Sequence, residues 1–565
     1  MCDGSPVTTA HTPGESLLSV LRERLGIISV KDGCAPQGQC GCCTVLVDGE
    51  ARVACVTPIE RVADRSVTTL AGLDAEVCDR LAGAFVDVGG SQCGFCTPGI
   101  IVRAAALLGK GRTGRTDVDR ALAAHLCRCT GWQTIYEAID AAAGPQLTAS
   151  APPRSLGAAS VQSAQESDSP QHVGVDVPKG EGGFADDTAP RDALVAVPLP
   201  PGVDPAAVGA REVHSQWWVV GETLADARAQ AEKIQGRRTT IDERPPLVVP
   251  EVDAPAHAVR LATSWVEPAY LEPDASWCVP GGEPASPLAN GGAFGGKSAS
   301  LAPVVARTLA DELGCAVRVV YSREDTVRLG PKRPPIAAVA WLDGDVVRLR
   351  GAVANADWSA RPHGDDALPV ALDAQWASVS VAGPPVGRAR AVGWAEEAVL
   401  VAAALDAAGV APAGPFDVRV TGPGGATAGA RVAIDAATGV VTGIEVEVDA
   451  GSVLDTVVLR SYCIGAAHMA LGWVCTEGLA VDPESGEVLD LTIRSFGIVR
   501  PAKMPPVAVT LRTVPSGRDE PLPGAADAVF AAVAAATWNA ITRAEGARPD
   551  TWPARDTRAA RALRR

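Results

Sequence analysis

The chain reads as an α+β protein of several domains, and three observations carry that reading. At 565 residues it has room for three or more domains of ordinary size. Eight of its fifteen cysteines form two sets of four within the first quarter, where helical and strand-like segments are short. Beyond residue 190, alternating strands and amphipathic helices follow one another in the mixed pattern of an α/β region.

The elements justify themselves in order. Leu17 to Leu25 has apolar residues at helical spacing and stops at Gly26, a suitable C-cap. TVLVDG followed by RVACV predicts a hairpin around Asp48-Gly49. Helices are expected over 98–109, with Pro98 in the first turn, and over 116–126, with Thr116 as N-cap. From 144 to 190 the chain is rich in Ser, Ala, Pro, Gln and Asp and poor in large apolar residues, which predicts a flexible linker. Strands follow in DALVAVPL, SQWWVVG and PPLVV, with a helix from Thr223 to Gln235. A helix over 300–314 leads into the buried strand of AVRVVYSRED, and two alternating segments, 336–354 and 430–451, read as hairpins. Helices from Ile464 to Gly472 and from Gly524 to Arg543 complete the chain.

The cysteines carry the chemistry. Cys34, Cys40, Cys43 and Cys55 are spaced C-x5-C-x2-C-x11-C, and Cys93, Cys96, Cys127 and Cys129 pair a C-x2-C with a C-x-C. A [2Fe–2S] cluster takes four thiolates, and the first set is close to plant-type ferredoxin spacing. Gly33, Gly38 and Gly41 let that loop curl so that amides can point at sulfur. Zinc is the alternative, but its ribbons show two paired C-x2-C knuckles and neither set has that form. Two iron–sulfur sets in one short stretch predict an electron wire, with these eight cysteines as its metal ligands.

A net charge of −16 argues against a nucleic-acid partner. No charged leader followed by an apolar stretch opens the chain, and no apolar run reaches transmembrane length, so a cytoplasmic protein without membrane contact is expected. GGAFGGKS at 291–298 matches the phosphate-binding G-x-x-x-x-G-K-[ST] pattern, but a proline-rich stretch, not a strand, precedes it, which disfavours nucleotide binding.

The runs ESLLSVLRERLG, CAPQGQCGCCTVLVDG, QCGFCTPGI and LCRCTGW resemble the iron–sulfur region of the molybdenum hydroxylase (xanthine dehydrogenase and aldehyde oxidase) family. The resemblance implies a β-grasp, plant-ferredoxin-like [2Fe–2S] domain at 1–75 and a four-helix [2Fe–2S]-binding domain at 76–143. After the linker it implies a shortened molybdopterin-binding region in two parts, 191–420 and 421–565. The opening hairpin of the β-grasp looks clipped, and His125 stands where the family has Asn. GGAFGGK resembles the family's GGGFGGK loop, with EPAYLEP before it and VRVVYSREDTVRLGPKRPP after it. RAVGWAEEAV resembles the family's RGFG-type segment, and RDEPLPGAADAVF the GEPPL segment that carries the catalytic glutamate. Carried over, Glu520 is the general base and Arg390 the cation that stabilises developing negative charge. Gly292, Phe294 and Gly295 shape the metal's surroundings, and Gln92 hydrogen-bonds the pterin. Ser298 replaces a glutamate that contacts purines, which weakens a purine assignment.

The resemblance therefore implies an oxidoreductase that hydroxylates a heterocycle or aldehyde with water-derived oxygen. Molybdenum on molybdopterin serves the chemistry and two [2Fe–2S] clusters carry the electrons. The family's FAD domain is missing, so any flavin belongs to a separate FAD-containing subunit or another electron acceptor, and a homodimer is in keeping with family habit. The reduced molybdenum region, without recognisable pterin-gripping GQG loops, leaves a second class open: an electron-transfer or scaffold subunit with working clusters and a molybdenum-free C-terminal region.

Overall fold

The computed structural model describes every residue except 35, 145–153, 233–235, 237–242, 359–369, 411–413, 513–520 and 565. Its first layer is small. Ser16 caps a helical run, Leu17–Ser19 continuing into a wider turn at Val20–Arg24, which ends at Gly26 in the left-handed region (φ 69°) as expected. Leu17, Leu18, Val20 and Leu21 are buried there. Beside them lies a three-stranded antiparallel sheet in the order Glu50–Val53, Thr44–Val47, Val67–Thr68. The hairpin turns at Asp48-Gly49, both with positive φ, as its sequence demands. Cys2 bridges Val67, so the start of the chain lies along this sheet, and no opening hairpin is seen among the described residues.

Four helices follow: Ala75–Asp87, Thr97–Leu108, Arg115–Leu122 and Gln133–Ala143. They bury a shared face that includes Leu81, Phe85, Ile100, Leu122 and Ile135. Gly114, not Thr116, occupies the cap of the third helix.

The segment expected as a linker is ordered from Arg154 onward, which corrects the expectation for 144–190. Leu156–Ser167 is a helix capped by Ser155, and Ala185–Thr188 is a second, short one. The reason is that this segment buries small and polar groups in place of large apolar ones. Ala159, Gln162, Ser163 and Glu166 form one helical face and are all buried. At its other end Arg22 donates to Asp186 at 2.6 Å and Asp187 at 2.9 Å, while the buried Lys31 ammonium contacts Asp187 and the Gly180 carbonyl (2.7 Å). Charge pairing and side-chain hydrogen bonds do here what a hydrophobic stripe does elsewhere.

The remainder is built on three sheets. One runs Arg211–Val213, Gln216–Gly221, Leu194–Pro198, Val317–Val320, Ala275–Cys278, covered by helices Leu224–Ala231 and Ala302–Leu313. A second runs Ala371–Val379, Val346–Ala354, Ile336–Asp343, Val259–Thr263, Thr551–Trp552. Its central hairpin pairs Ile336 with Val353 and Asp343 with Val346, as read from the alternation. The third runs Val418–Thr421, Thr427–Ile434, Val441–Asp449, Val507–Leu511. PPLVV at 245–249 forms no strand, since its two prolines remove ladder donors. Thr551–Trp552 returns from the far end of the chain to join the second sheet, interlocking the two C-terminal parts.

Two long helices, Thr456–Cys475 and Ala525–Glu545, pack against each other at the centre. Both are long and apolar enough to cross a membrane, contrary to the expectation that no segment is, but 89% of each apolar window is buried inside the protein. Their alanines allow close approach, and Trp473 stacks on Phe530 with ring centroids 5.2 Å apart. The first spans 20 residues where periodicity alone showed Ile464 to Gly472, because a helix apolar on all sides has no stripe to read.

Candidate active site between the cysteine loops and a glycine-rich turn

All fifteen cysteines are free, and thiols come together within each set of four. Cys34 meets the thiols of Cys40 and Cys55, and Cys43 meets Cys55. In the second set Cys96 meets Cys127, and Cys129 lies 3.5 Å from Cys93, sulfur to sulfur. The Cys34 thiol is held well below its ordinary value, first by donation from Cys40, and the Cys127 thiol is held down to about 6, first by Cys96. Such pairwise contact is what a dinuclear cluster requires, with two thiolates on each iron. Gly38 and Gly41 have positive φ in the first loop, as its tight curl requires. Cys42, outside both sets, is fully buried beside them.

His125 lies between the two cysteine loops with its Nε2 3.2 Å from the Thr44 hydroxyl. Burial pushes it down to about 4, so it is a neutral packing residue. Arg128, between Cys127 and Cys129, is anchored in the later region by a bidentate pair to Glu477 (2.5 and 2.7 Å) and by donation to the Pro268 carbonyl (3.0 Å). Helix Thr456–Cys475 presses directly on this loop at Gly465, where a Cβ would lie 1.7 Å from the Cys129 carbonyl oxygen. No larger residue fits.

Between the second cysteine set and residues 291–298 lies a cavity of about 380 Å³. One wall is the glycine-rich turn. Ala293 and Phe294 both hold left-handed backbone (φ 48° and 55°), a cost that marks a site shaped for something other than stability. At Gly292 and Gly295 a Cβ would strike the Ser167 and Arg388 carbonyls at 2.5 and 2.7 Å, so the turn exists only with glycine there. Lys297 does not serve a phosphate: its buried ammonium pairs with Glu272 at 2.8 Å and donates to the Pro287 carbonyl. This settles the motif against nucleotide binding of the P-loop kind. Ser298 is exposed and donates to the Gly295 carbonyl at 2.8 Å.

The other predicted residues divide. Gln92 lies on the cavity wall, donating to the Cys129 carbonyl (3.0 Å) and the Ser461 hydroxyl (2.9 Å). Arg390 also lines it, its guanidinium 5.0 Å from the Phe294 ring centre and its Nε 3.1 Å from Asp527. Glu520 lies outside the described residues.

Sequence reasoning missed much of the opposite wall, which comes from the supposed linker. Glu166 is buried, accepts from the Ala526 amide (2.9 Å) at the start of helix Ala525–Glu545 and from Gln162 (3.3 Å), and is pushed up to about 7 by burial. Gln171 accepts from the Tyr462 hydroxyl, but its buried amide nitrogen has no partner. Asn290 ties the walls together: it donates to the Cys93 carbonyl and accepts from the His172 amide, both at 2.9 Å. The faint available signal was the spacing of Ala159, Gln162, Ser163 and Glu166 behind a capping Ser155.

Known families match these parts in order. A 2Fe-2S iron-sulfur cluster binding domain matches residues 1–70, a [2Fe-2S] binding domain 69–140, and a molybdopterin cofactor-binding domain 300–505. The xanthine dehydrogenase iron-sulfur-binding subunit of Escherichia coli O157:H7 is 40% identical over 141 residues, 24% of this chain and 87% of that one. The chain belongs to the molybdenum hydroxylase family. The isoquinoline 1-oxidoreductase subunit alpha of Brevundimonas diminuta is 41% identical over 25% of this chain and 93% of its own. The aldehyde oxidoreductase of Megalodesulfovibrio gigas is 48% identical over 136 residues, a match that spans 23% of this chain and 15% of that protein. Beyond the iron–sulfur region the likeness is one of fold. The aldehyde oxidoreductase of Desulfovibrio desulfuricans superposes with a TM-score of 0.74 at 16% identity, covering 100% of this chain and 99% of that one. This family member thus carries two [2Fe–2S] domains followed by a molybdopterin cofactor-binding domain.

Proposed function

We propose that the chain is an iron–sulfur, molybdenum-dependent oxidoreductase that hydroxylates a heterocycle or aldehyde in the cavity described above. The observation that carries this is that one cavity is bounded by the second cysteine set, the glycine-rich turn and Arg390. In this reading Cys34, Cys40, Cys43 and Cys55 hold one cluster and Cys93, Cys96, Cys127 and Cys129 the other. The domain spans follow the same division: 1–75, 76–143, 191–420 and 421–565, with 154–190 as an ordered strap between them.

The residues present fit a pterin cofactor. The fused ring system needs donors and acceptors, and the unpartnered Gln171 amide nitrogen would supply a donor, while Gln92, whose nitrogen is taken by Cys129 and Ser461, would offer its carboxamide oxygen. Gly292 and Gly295 open the turn to close backbone approach. When bound, the molybdenum cofactor supplies water-derived oxygen and takes two electrons from the substrate.

The protein's part is to place and to exclude. Phe294 and Trp394 line the cavity and offer a planar substrate a partly apolar wall. Arg390, fixed by Phe294 and Asp527, stabilises negative charge that develops on the substrate. Glu520 serves as the base that accepts the proton. Gln92, bonded to the Cys129 carbonyl, ties the cavity wall to the second cysteine set; clusters held by the two sets would carry electrons away from the cavity. From there they leave to an FAD-containing partner subunit or another acceptor. Fifteen free thiols suit a reducing compartment, the cytoplasm.

Anaerobic mixing with aromatic aldehydes and N-heterocycles tests the reading. A substrate should bleach the visible absorption of the iron–sulfur clusters, and Glu520→Gln should slow that bleaching by at least about 100-fold. A panel that leaves the clusters oxidised would refute it.

A further inference from the structure

A second cavity, of about 330 Å³, opens on the first domain and shares no residue with the one described above. Three arginines line it: Arg52 on the strand Glu50–Val53, Arg61 on the short helical turn Ile59–Val62, and Arg65 just beyond. Arg65 is paired with Asp48 at 2.7 Å. Arg52 and Arg61 are exposed and form no ion pair among the described residues. Glu50, whose charge Arg52 feels, is taken by Lys110 at 2.6 Å, and Glu60 and Asp64, the acidic neighbours of Arg61 and Arg65 in sequence, do not line the hollow. On a chain of net charge −16 this is a local reversal of sign.

The hollow stands over the first cysteine set. Val56, on its wall, directly follows Cys55 and is 55% exposed. The same side chain lies on the cysteine loop, since a Cβ at Gly38 would be 3.0 Å from the Val56 Cγ1. Cys55 is also the most exposed of its set, 5% against 2% or less for the other three. An apolar patch with a cationic rim, one residue from a cluster ligand, has the anatomy of a transient electron-transfer contact, which needs little area. A small anion suits it less well, because such ions are gripped by buried donors and none of these guanidinium groups is buried.

We propose that an acidic one-electron carrier protein docks on the hollow of Arg52, Arg61 and Arg65 and takes electrons there from the cluster of Cys34, Cys40, Cys43 and Cys55. This rests on the cluster-bearing oxidoreductase reading and gives its electron exit a place and a sign of charge. In each encounter the reduced cluster loses one electron and the carrier's oxidised centre gains it, with no bond made or broken.

The test needs no substrate turnover. The full chain is reduced with dithionite, freed of excess reagent anaerobically and mixed by stopped flow with the ferric haem domain of cytochrome b5, an acidic one-electron acceptor. At about 0.1 M ionic strength the Debye length of about 10 Å lets nearby charge outweigh distant charge. There Arg52→Glu and Arg61→Glu should each slow haem reduction at least about 5-fold. Raising the ionic strength to about 0.5 M should slow the unaltered protein at least about 3-fold and shrink its advantage over the variants. Reoxidation by neutral benzoquinone should be the same in all three, and the salt response of the unaltered protein decides alone should a variant fold poorly. Unchanged rates in both variants, or a rate that rises with salt, overturns the proposal. So does strong inhibition by inorganic phosphate at constant ionic strength, which would give the hollow to a small anion. A sample with no dithionite-reducible cluster absorption removes the functional reading as well, whereas reducible clusters without this charge dependence remove only the present inference.

Discussion

Replacing Glu477 by alanine should uncouple the second cysteine set from the rest of the chain. Both members of the Arg128–Glu477 pair are buried, with side-chain exposures of 3% and 0%, and the carboxylate receives two guanidinium hydrogen bonds. Removing it leaves a buried cation whose remaining described partner is the Pro268 carbonyl. Breaking a buried pair in this way costs about 3–5 kcal/mol. Glu477→Gln keeps one acceptor in place and should cost about 1–3 kcal/mol. The effect should also be local, because Arg128 stands between Cys127 and Cys129. Iron should fall from about four to about two per chain, since each cluster holds two. Urea denaturation gives the stability change, and iron analysis with electron paramagnetic resonance shows which cluster signal is lost. An alanine variant less than about 1 kcal/mol weaker, with both signals intact, would refute the reasoning.

Three further outcomes are expected. Cys42→Ala should leave iron near about four per chain, whereas alanine at Cys34, Cys40, Cys43 or Cys55 should lower it to about two, because only the latter are read as ligands; iron analysis decides. Gly295→Ala places a side chain at φ 85°, 2.7 Å from the Arg388 carbonyl, and should cost about 1–2 kcal/mol in backbone strain. It should lower molybdenum content while leaving iron unchanged, as elemental analysis will show. Glu166 is pushed by burial from an ordinary 4.5 up to about 7, so between those values the folded chain keeps a proton that the unfolded chain releases. Its contribution to stability is full below about pH 4.5, declines by about 3 kcal/mol as pH rises to about 7, and is level above that. Glu166→Gln should flatten that part of the slope in urea midpoints measured across the window.

The elements with strong local signals were legible in the sequence. The cysteine spacings, the Asp48-Gly49 turn, the Gly26 stop and the 336–354 hairpin each rest on residues that permit few alternatives. What escaped had another physical basis. Glu166 and Gln171 sit in a segment whose buried face is polar and small, so a search for apolar periodicity passes over it. Asp527 and Tyr462 lie on helices buried on nearly every side, where no face stands out as functional. Gly465 shows its importance only when the Cys129 carbonyl is seen against it. The resemblance picked out Arg390, Phe294 and Gln92, which line one cavity, because their neighbouring motifs are long enough to align. It could not supply the opposite wall, which comes from a stretch with no such motif.

Metal analysis of anaerobically purified protein, with electron paramagnetic resonance after reduction, is the most direct test. Two distinct [2Fe–2S] signals, about four iron atoms and about one molybdenum atom per chain are the predicted result. Iron with both signals but no molybdenum would contradict the account, leaving a cluster-bearing subunit without a catalytic metal.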